Sequence, residues 1–138
     1  MSTSTYTTGE IVEALLERLG TQDADGAAEL FAQDIDWFVP GDPDDLPWTG
    51  QRSRREHVPE YLRTLWANFV PGESSADIDK ILVDGDEAVI FSTFKHKVEK
   101  NGNTLLVSTA MRIVVDGGKI VKMHLYEDTA AVRDAFDV

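Results

Sequence analysis

The sequence predicts an α+β fold, and three observations carry that reading. Apolar residues recur at helical spacing in the first half of the chain. They alternate with period two in the second half. Asp-Gly and Asn-Gly turn signals cut the alternating half into antiparallel hairpins, so helices precede a meander of strands.

The elements follow in order. Thr7-x-x-Glu10 has the spacing of a capping box, and Ile11, Val12, Leu15, Leu16 and Leu19 continue at helical spacing until Gly20. Asp23 or Asp25 can cap a second, shorter helix carrying Ala27, Ala28, Leu30 and Phe31. Residues 35–39 are β-branched and aromatic and stop at Pro40-Gly41, which predicts a short strand. Residues 40–50 contain three prolines and two glycines and read as a loop. Leu46 and Trp48 are costly to leave in water, so that loop is expected to fold back over an apolar surface. A third helix carries Val58, Tyr61, Leu62, Leu65, Trp66 and Phe69 on one stripe. Its start is irregular, because the box-like Ser53-x-x-Glu56 competes with Pro59, which suits a first turn beginning near His57. Strands are predicted over residues 76–83, 88–99, 104–115 and 119–127, and Asp128 can cap a final helix through Phe136. No repeat, linker or low-complexity run interrupts residues 1–138, which read as one domain.

Alternation assigns the strand faces. A two-residue Asn101-Gly102 loop sets Val98, His96, Phe94, Ser92 and Ile90 opposite Leu105, Val107, Thr109, Met111 and Ile113 on one face. Lys95 and Lys97 occupy the other face, so the first is the core face, and it holds three polar residues: Ser92, His96 and Thr109. The last hairpin has two registers. A three-residue loop, Asp116 to Gly118, turns Val121, Met123, Leu125 and Glu127 inward; a two-residue Gly117-Gly118 loop turns in Lys122, His124, Tyr126 and Asp128. Apolar content favours the first, which leaves Glu127 as a lone inward acid near His96 and Val107.

Composition excludes several classes of function. There is no cysteine, so thiolate nucleophiles, disulfides and cysteine–zinc sites are out. The net charge of −12 repels nucleic acid and anionic membrane surfaces. His57, His96 and His124 show no local metal-ligand spacing, so no metal is expected. Residues 1–6 lack the basic start and apolar run of a signal peptide, and the expected location is the cytoplasm.

The helix–helix–strand opening, the Pro47-Trp48-Thr49-Gly50 loop, the third helix and the ending Asp116-Gly117-Gly118-Lys119-Ile120 with Tyr126-Glu127-Asp128-Thr129-Ala130 resemble the SnoaL-like branch of the nuclear transport factor 2 superfamily. That superfamily includes ketosteroid isomerases, polyketide cyclases, limonene epoxide hydrolases and scytalone dehydratases. The resemblance covers nearly the whole chain. It implies a cone in which a curved antiparallel sheet wraps three N-terminal helices around an apolar pocket, with a short C-terminal helix. It also implies a homodimer through the sheet and chemistry without a cofactor. The ketosteroid isomerase base falls at Val39, its oxyanion-hole Tyr at Leu15 and its protonated Asp near Met111, all apolar here. Steroid isomerisation needs a base and a preorganised donor pair, so that activity is not expected. The polyketide cyclases use a late acidic residue as acid/base, a role that Glu127 or Asp128 could fill.

These residues define the expected site. An apolar cavity would raise the Glu127 pKa to suit proton transfer. Asp128 is the competing acid, although N-capping of the last helix accounts for it equally well. His96 or Thr109 would assist, and Trp37, Val39, Trp48, Tyr61, Ser92, Thr109 and Met111 would hold a small hydrophobic ring or polyketide-like substrate. Trp48 is expected to act as a lid; Trp66 could also line the pocket, but ordinary core or an interface is the simpler expectation for it. His124 faces out, and His57 opens a solvated helix start. Arg52, Arg54 and Arg55 could bind an anionic substrate, but neutralising Asp42, Asp44 and Asp45 is the simpler expectation. The competing expectation is a binding module of the same fold with no catalytic activity.

Overall fold

A computed structural model describes residues 6–138. The helices are α1 (Thr8–Gly20), α2 (Ala24–Ala28), α3 (His57–Ala67) and α4 (Thr129–Phe136). The strands are β1 (Phe31–Val39), β2 (Gly50–Arg54), β3 (Ser75–Asp84), β4 (Glu87–Lys97), β5 (Thr104–Asp116) and β6 (Lys119–Glu127). The strands form one curved, unclosed sheet in the order β2-β1-β6-β5-β4-β3. All neighbours run antiparallel except β1 and β6, which are parallel. The long connection through α3 and the meander makes that parallel contact possible.

Local chemistry sets the helix boundaries. Thr7 caps α1 in a reciprocal box with Glu10. The Asp23 carboxylate accepts from the Gly26 N–H and starts α2. That helix is shorter than predicted, because Phe31 belongs to β1. The Ser53–Glu56 box does not form: Ser53 lies in β2, and α3 begins at His57 with no side-chain cap. The strand β2 is a correction to the sequence reading. Residues 51–54 are polar, and their pairing with β1 is made by the backbone of an edge strand, which leaves no apolar alternation to read.

The strand faces come out as expected by a different route. Val98 N–H donates to Asn103, and Gly102 N–H donates to Val98, so the β4–β5 loop comprises residues 99–102. His96 therefore opposes Leu105, and Ser92 opposes Thr109. A displacement by two positions keeps every side chain on its expected face. In the last hairpin Asp116 pairs with Lys119, so the loop is Gly117-Gly118, both at positive φ as a tight two-residue turn requires. A bulge at Val121 then restores the parity, since Val115 faces Ile120 but Val114 faces Lys122. Ile120, Met123, Leu125 and Glu127 consequently point inward, with Ile120 in the core place expected for Val121. Glu127 lands opposite Thr109 instead of Val107.

The core fills the space between the sheet and the helices. Ile11, Val12 and Leu15 of α1 pack with Val58 and Leu62 of α3 against Phe31, Ile90, Ile113 and Ile120. The edge strand β3 is the exception, being exposed along its whole length. No helix among the described residues is long and apolar enough to cross a membrane.

Candidate functional site

The helices do not fill the concave side of the sheet. A cavity of about 560 Å³ remains, floored by β4, β5 and β6 and opening between the end of α1, the end of α3 and residues 70–78. Its lining is mainly apolar, with Trp37, Trp48, Phe69 and Met123 among the walls. Such a volume suits a small organic ligand of a few rings.

A single polar row crosses this apolar floor. Ser92 of β4, Thr109 of β5 and Glu127 of β6 are successive cross-strand partners on the inner face. The Ser92 and Thr109 hydroxyls are 3.0 Å apart and both residues are buried. The Thr109 hydroxyl also lies 3.5 Å from the Ser92 carbonyl; when Thr109 donates to the Ser92 hydroxyl, the Ser92 O–H is free for a ligand oxygen. Among the described residues, Glu127 is the one carboxylate in the lining. Desolvation by burial pushes its pKa from the ordinary 4.5 up to about 7. Tyr61 of α3 lines the same cavity and is 6% exposed. Burial raises its phenol pKa first, and the nearby Glu127 charge adds to the effect, so the phenol stays protonated. Its ring meets Trp37 edge-on with centroids 4.6 Å apart.

His96 also lines the cavity, but not beside Glu127. It lies four positions along β4 from Ser92, roughly 13 Å at strand rise. Its ring stacks on Phe69 with centroids 4.0 Å apart and planes 10° apart. Its Nδ1 is 2.8 Å from the Ser74 hydroxyl. Desolvation pulls its pKa down to about 4, so the ring is neutral. The expected adjacency of His96 and Glu127 fails because both hairpins settle two positions away from the expected pairing.

All seven residues expected to contact a ligand, Trp37, Val39, Trp48, Tyr61, Ser92, Thr109 and Met111, line the cavity. Leu15, Val39 and Met111, where a ketosteroid isomerase would hold its catalytic groups, contribute apolar wall. Asp128 does not reach the cavity; it is exposed and its carboxylate accepts from the Ala131 N–H as the cap of α4.

Trp48 is a pinned wall more than a lid. It is 4% exposed, with its ring centroid 4.9 Å from that of Phe136. Its loop is fastened by Thr49 Oγ1 donating to Leu46 O at 2.7 Å and by the Arg52 guanidinium donating to the Pro47 and Thr49 carbonyls. Arg52 is thus a loop clamp. Arg54 pairs with Asp34 and Glu56, and Arg55 with Gln33, so none of the three neutralises the loop aspartates. His57 is partly buried with an unpartnered Nδ1, not solvated. His124 lies on the outer sheet face, its Nε2 2.9 Å from Asp36 Oδ1.

Sequence reasoning missed the mouth. Leu16, Leu19 and Ile78 frame it with Trp66, yet in sequence each fits an ordinary apolar stripe of its own element. Helical spacing shows which face turns inward, not whether that face meets another side chain or a void.

Comparison with known proteins agrees with this architecture. No curated protein matches the sequence. Among solved structures, an NTF2-like protein of unknown function from Burkholderia pseudomallei K96243 superposes with a TM-score of 0.84 at 18% identity, covering 95% of this chain and 98% of that one. TerC, co-crystallised with polyporic acid, gives 0.81 at 18% identity over 95% and 98% of the two chains. A protein of ketosteroid isomerase-like fold from Catenulispora acidiphila, in complex with trimethylamine, gives 0.76 at 18% identity over 96% and 95%. The fold is therefore the NTF2-like cone. The SnoaL-like domain family matches residues 12–123, and the chain belongs to that family.

Proposed function

We propose that this protein is an acid–base enzyme of isomerase, cyclase or hydrolase type that needs no cofactor and acts on a small hydrophobic ring or polyketide-like compound. The observation that carries the proposal is Glu127, the one carboxyl group in an apolar cavity, with its pKa pushed up to about 7. A group titrating near neutrality can accept a proton and return it within one turnover. In the simplest step, the Glu127 carboxylate removes a proton from carbon next to a carbonyl. The C–H electron pair moves to form the enolate, and Glu127, now a neutral acid, protonates a second position. The protonated Tyr61 hydroxyl and the spare hydroxyl proton of the Ser92–Thr109 pair are the donors for the developing oxygen anion. Two structural neighbours carry small organic molecules, which supports a small-molecule occupant here.

The test needs no natural substrate. The protein is incubated with beta-tetralone and related cyclic ketones in deuterium oxide, and loss of the α-proton signal is followed by NMR. Exchange faster than in buffer is expected, with Glu127→Gln slower by roughly a hundredfold. Exchange by Glu127→Gln at the wild-type rate would remove Glu127 from its role. Binding of the ketones without any exchange would favour the second reading, a binding module, which the predominantly apolar lining supports.

The same proposal includes a homodimer through the outer sheet face, where Phe38, Phe91, Leu106 and Tyr126 are exposed.

A further inference from the structure

The cavity has polar groups at two separated places. The inner one is the Ser92–Thr109–Glu127 row with Tyr61. The outer one is His96, beneath residues 70–75 at the mouth. On β4 the apolar Phe94 is the inward residue between the two, opposite Val107.

The imidazole is held as a fixed recognition element. Stacking on Phe69 sets its plane, and the Ser74 hydroxyl sets its rotation by occupying Nδ1. Nε2 makes no hydrogen bond among the described residues and is not sealed from solvent in the way that Trp37 Nε1 and His57 Nδ1 are. A partly buried ring nitrogen with no protein partner is unfavourable to leave unpaired once a ligand has displaced water. A neutral imidazole can donate or accept at that atom, depending on which way the Ser74 bond runs.

We propose that His96 is a specificity-determining residue that binds, through Nε2, a hydrogen-bonding group at the outer end of the ligand. The ligand class follows from the spacing. Ser92 and His96 are separated by roughly 13 Å along the strand, with an apolar stretch between. The ligand is therefore an uncharged, elongated compound of two or three rings, with an oxygen function at each end and an apolar middle. A one-ring compound reaches only one of the two places. A permanent anion meets Glu127 with no cationic side chain in the lining to offset it. This inference rests on the cavity being the ligand site, and it holds whether or not Glu127 is catalytic.

Two probes with the same two-ring frame test it: the biphenyl diol with a hydroxyl at each end, and the biphenyl mono-ol. Binding to the full chain is read from fluorescence of Trp37, Trp48 and Trp66, all of which line the cavity. The diol is expected to bind about tenfold more tightly than the mono-ol. His96→Phe, which keeps the stack on Phe69, should abolish that preference and leave the mono-ol affinity within about twofold. Equal binding of the two probes by the wild-type protein overturns the proposal even if His96→Phe does not fold. A diol preference that survives His96→Phe also overturns it. Binding of neither probe overturns this proposal together with the cavity as ligand site. Failure of the ketone exchange assay alone removes only the role of Glu127.

Discussion

The cavity holds two titratable side chains whose pKa values burial moves in opposite directions. Glu127 has a folded-state pKa of about 7 against an ordinary 4.5. Its neutral form is favoured by folding, so the associated stability is fully present below pH 4.5 and is lost as pH rises through 7. The loss is on the order of 3 kcal/mol. His96, held at about 4 against 6.5, contributes stability that is present above pH 6.5 and is lost as pH falls through 4. Denaturant titrations across this range should show Glu127→Gln gaining on the wild type from pH 5 to pH 8, and His96→Phe gaining as the pH falls below 6. Parallel curves for Glu127→Gln and wild type would mean that the carboxyl is solvated. The inward direction of Ser92, Thr109 and His96 was legible from alternation, and that of Glu127 from the apolar content of the favoured register. Which of them stand together was not. That depends on a loop over residues 99–102 in place of a tight Asn-Gly turn, and on a bulge at Val121. Both turn on backbone geometry that residue types do not announce.

At the scale of elements, caps and turns position the site without taking part in it. Asp128 follows Glu127 directly but is engaged as the cap of α4. Asp128→Ala should cost about 1 kcal/mol of stability and leave ketone exchange unchanged. A loss of exchange comparable to that of Glu127→Gln would reassign the acid. The Trp48 wall depends on Gly41, whose φ is +137° and where an added Cβ would lie 2.7 Å from Thr49 Cγ2. Gly41→Ala should cost roughly 1–3 kcal/mol and shift Trp48 fluorescence, because a side chain there is strained as well as crowded. The helices and five of the six strands could be read directly from periodicity and turns. The edge strand β2 could not, since Gln51, Arg52, Ser53 and Arg54 carry no apolar face.

For the molecule as a whole, the sheet has two faces of different character. The concave face encloses the cavity. The convex face presents Phe38, Phe91, Leu106 and Tyr126, with Leu106 63% exposed. Light scattering should find a dimer in solution, and Leu106→Glu should convert it to monomer while keeping ligand binding within about twofold. A wild-type monomer at high concentration would contradict the dimer. The fold itself was legible because cavity and core demand the same inward pattern; the cavity was not, because a void leaves no mark on residue spacing.

An apolar cavity that holds one carboxyl group ready to exchange protons near neutral pH must shift the titration of that group. Carbon-13 NMR of the side-chain carboxyl, assigned with Glu127→Gln, measures that directly. The expected midpoint for Glu127 is about 7, against the ordinary 4.5. A midpoint at the ordinary value would contradict both the dryness of the cavity and the acid–base role drawn from it.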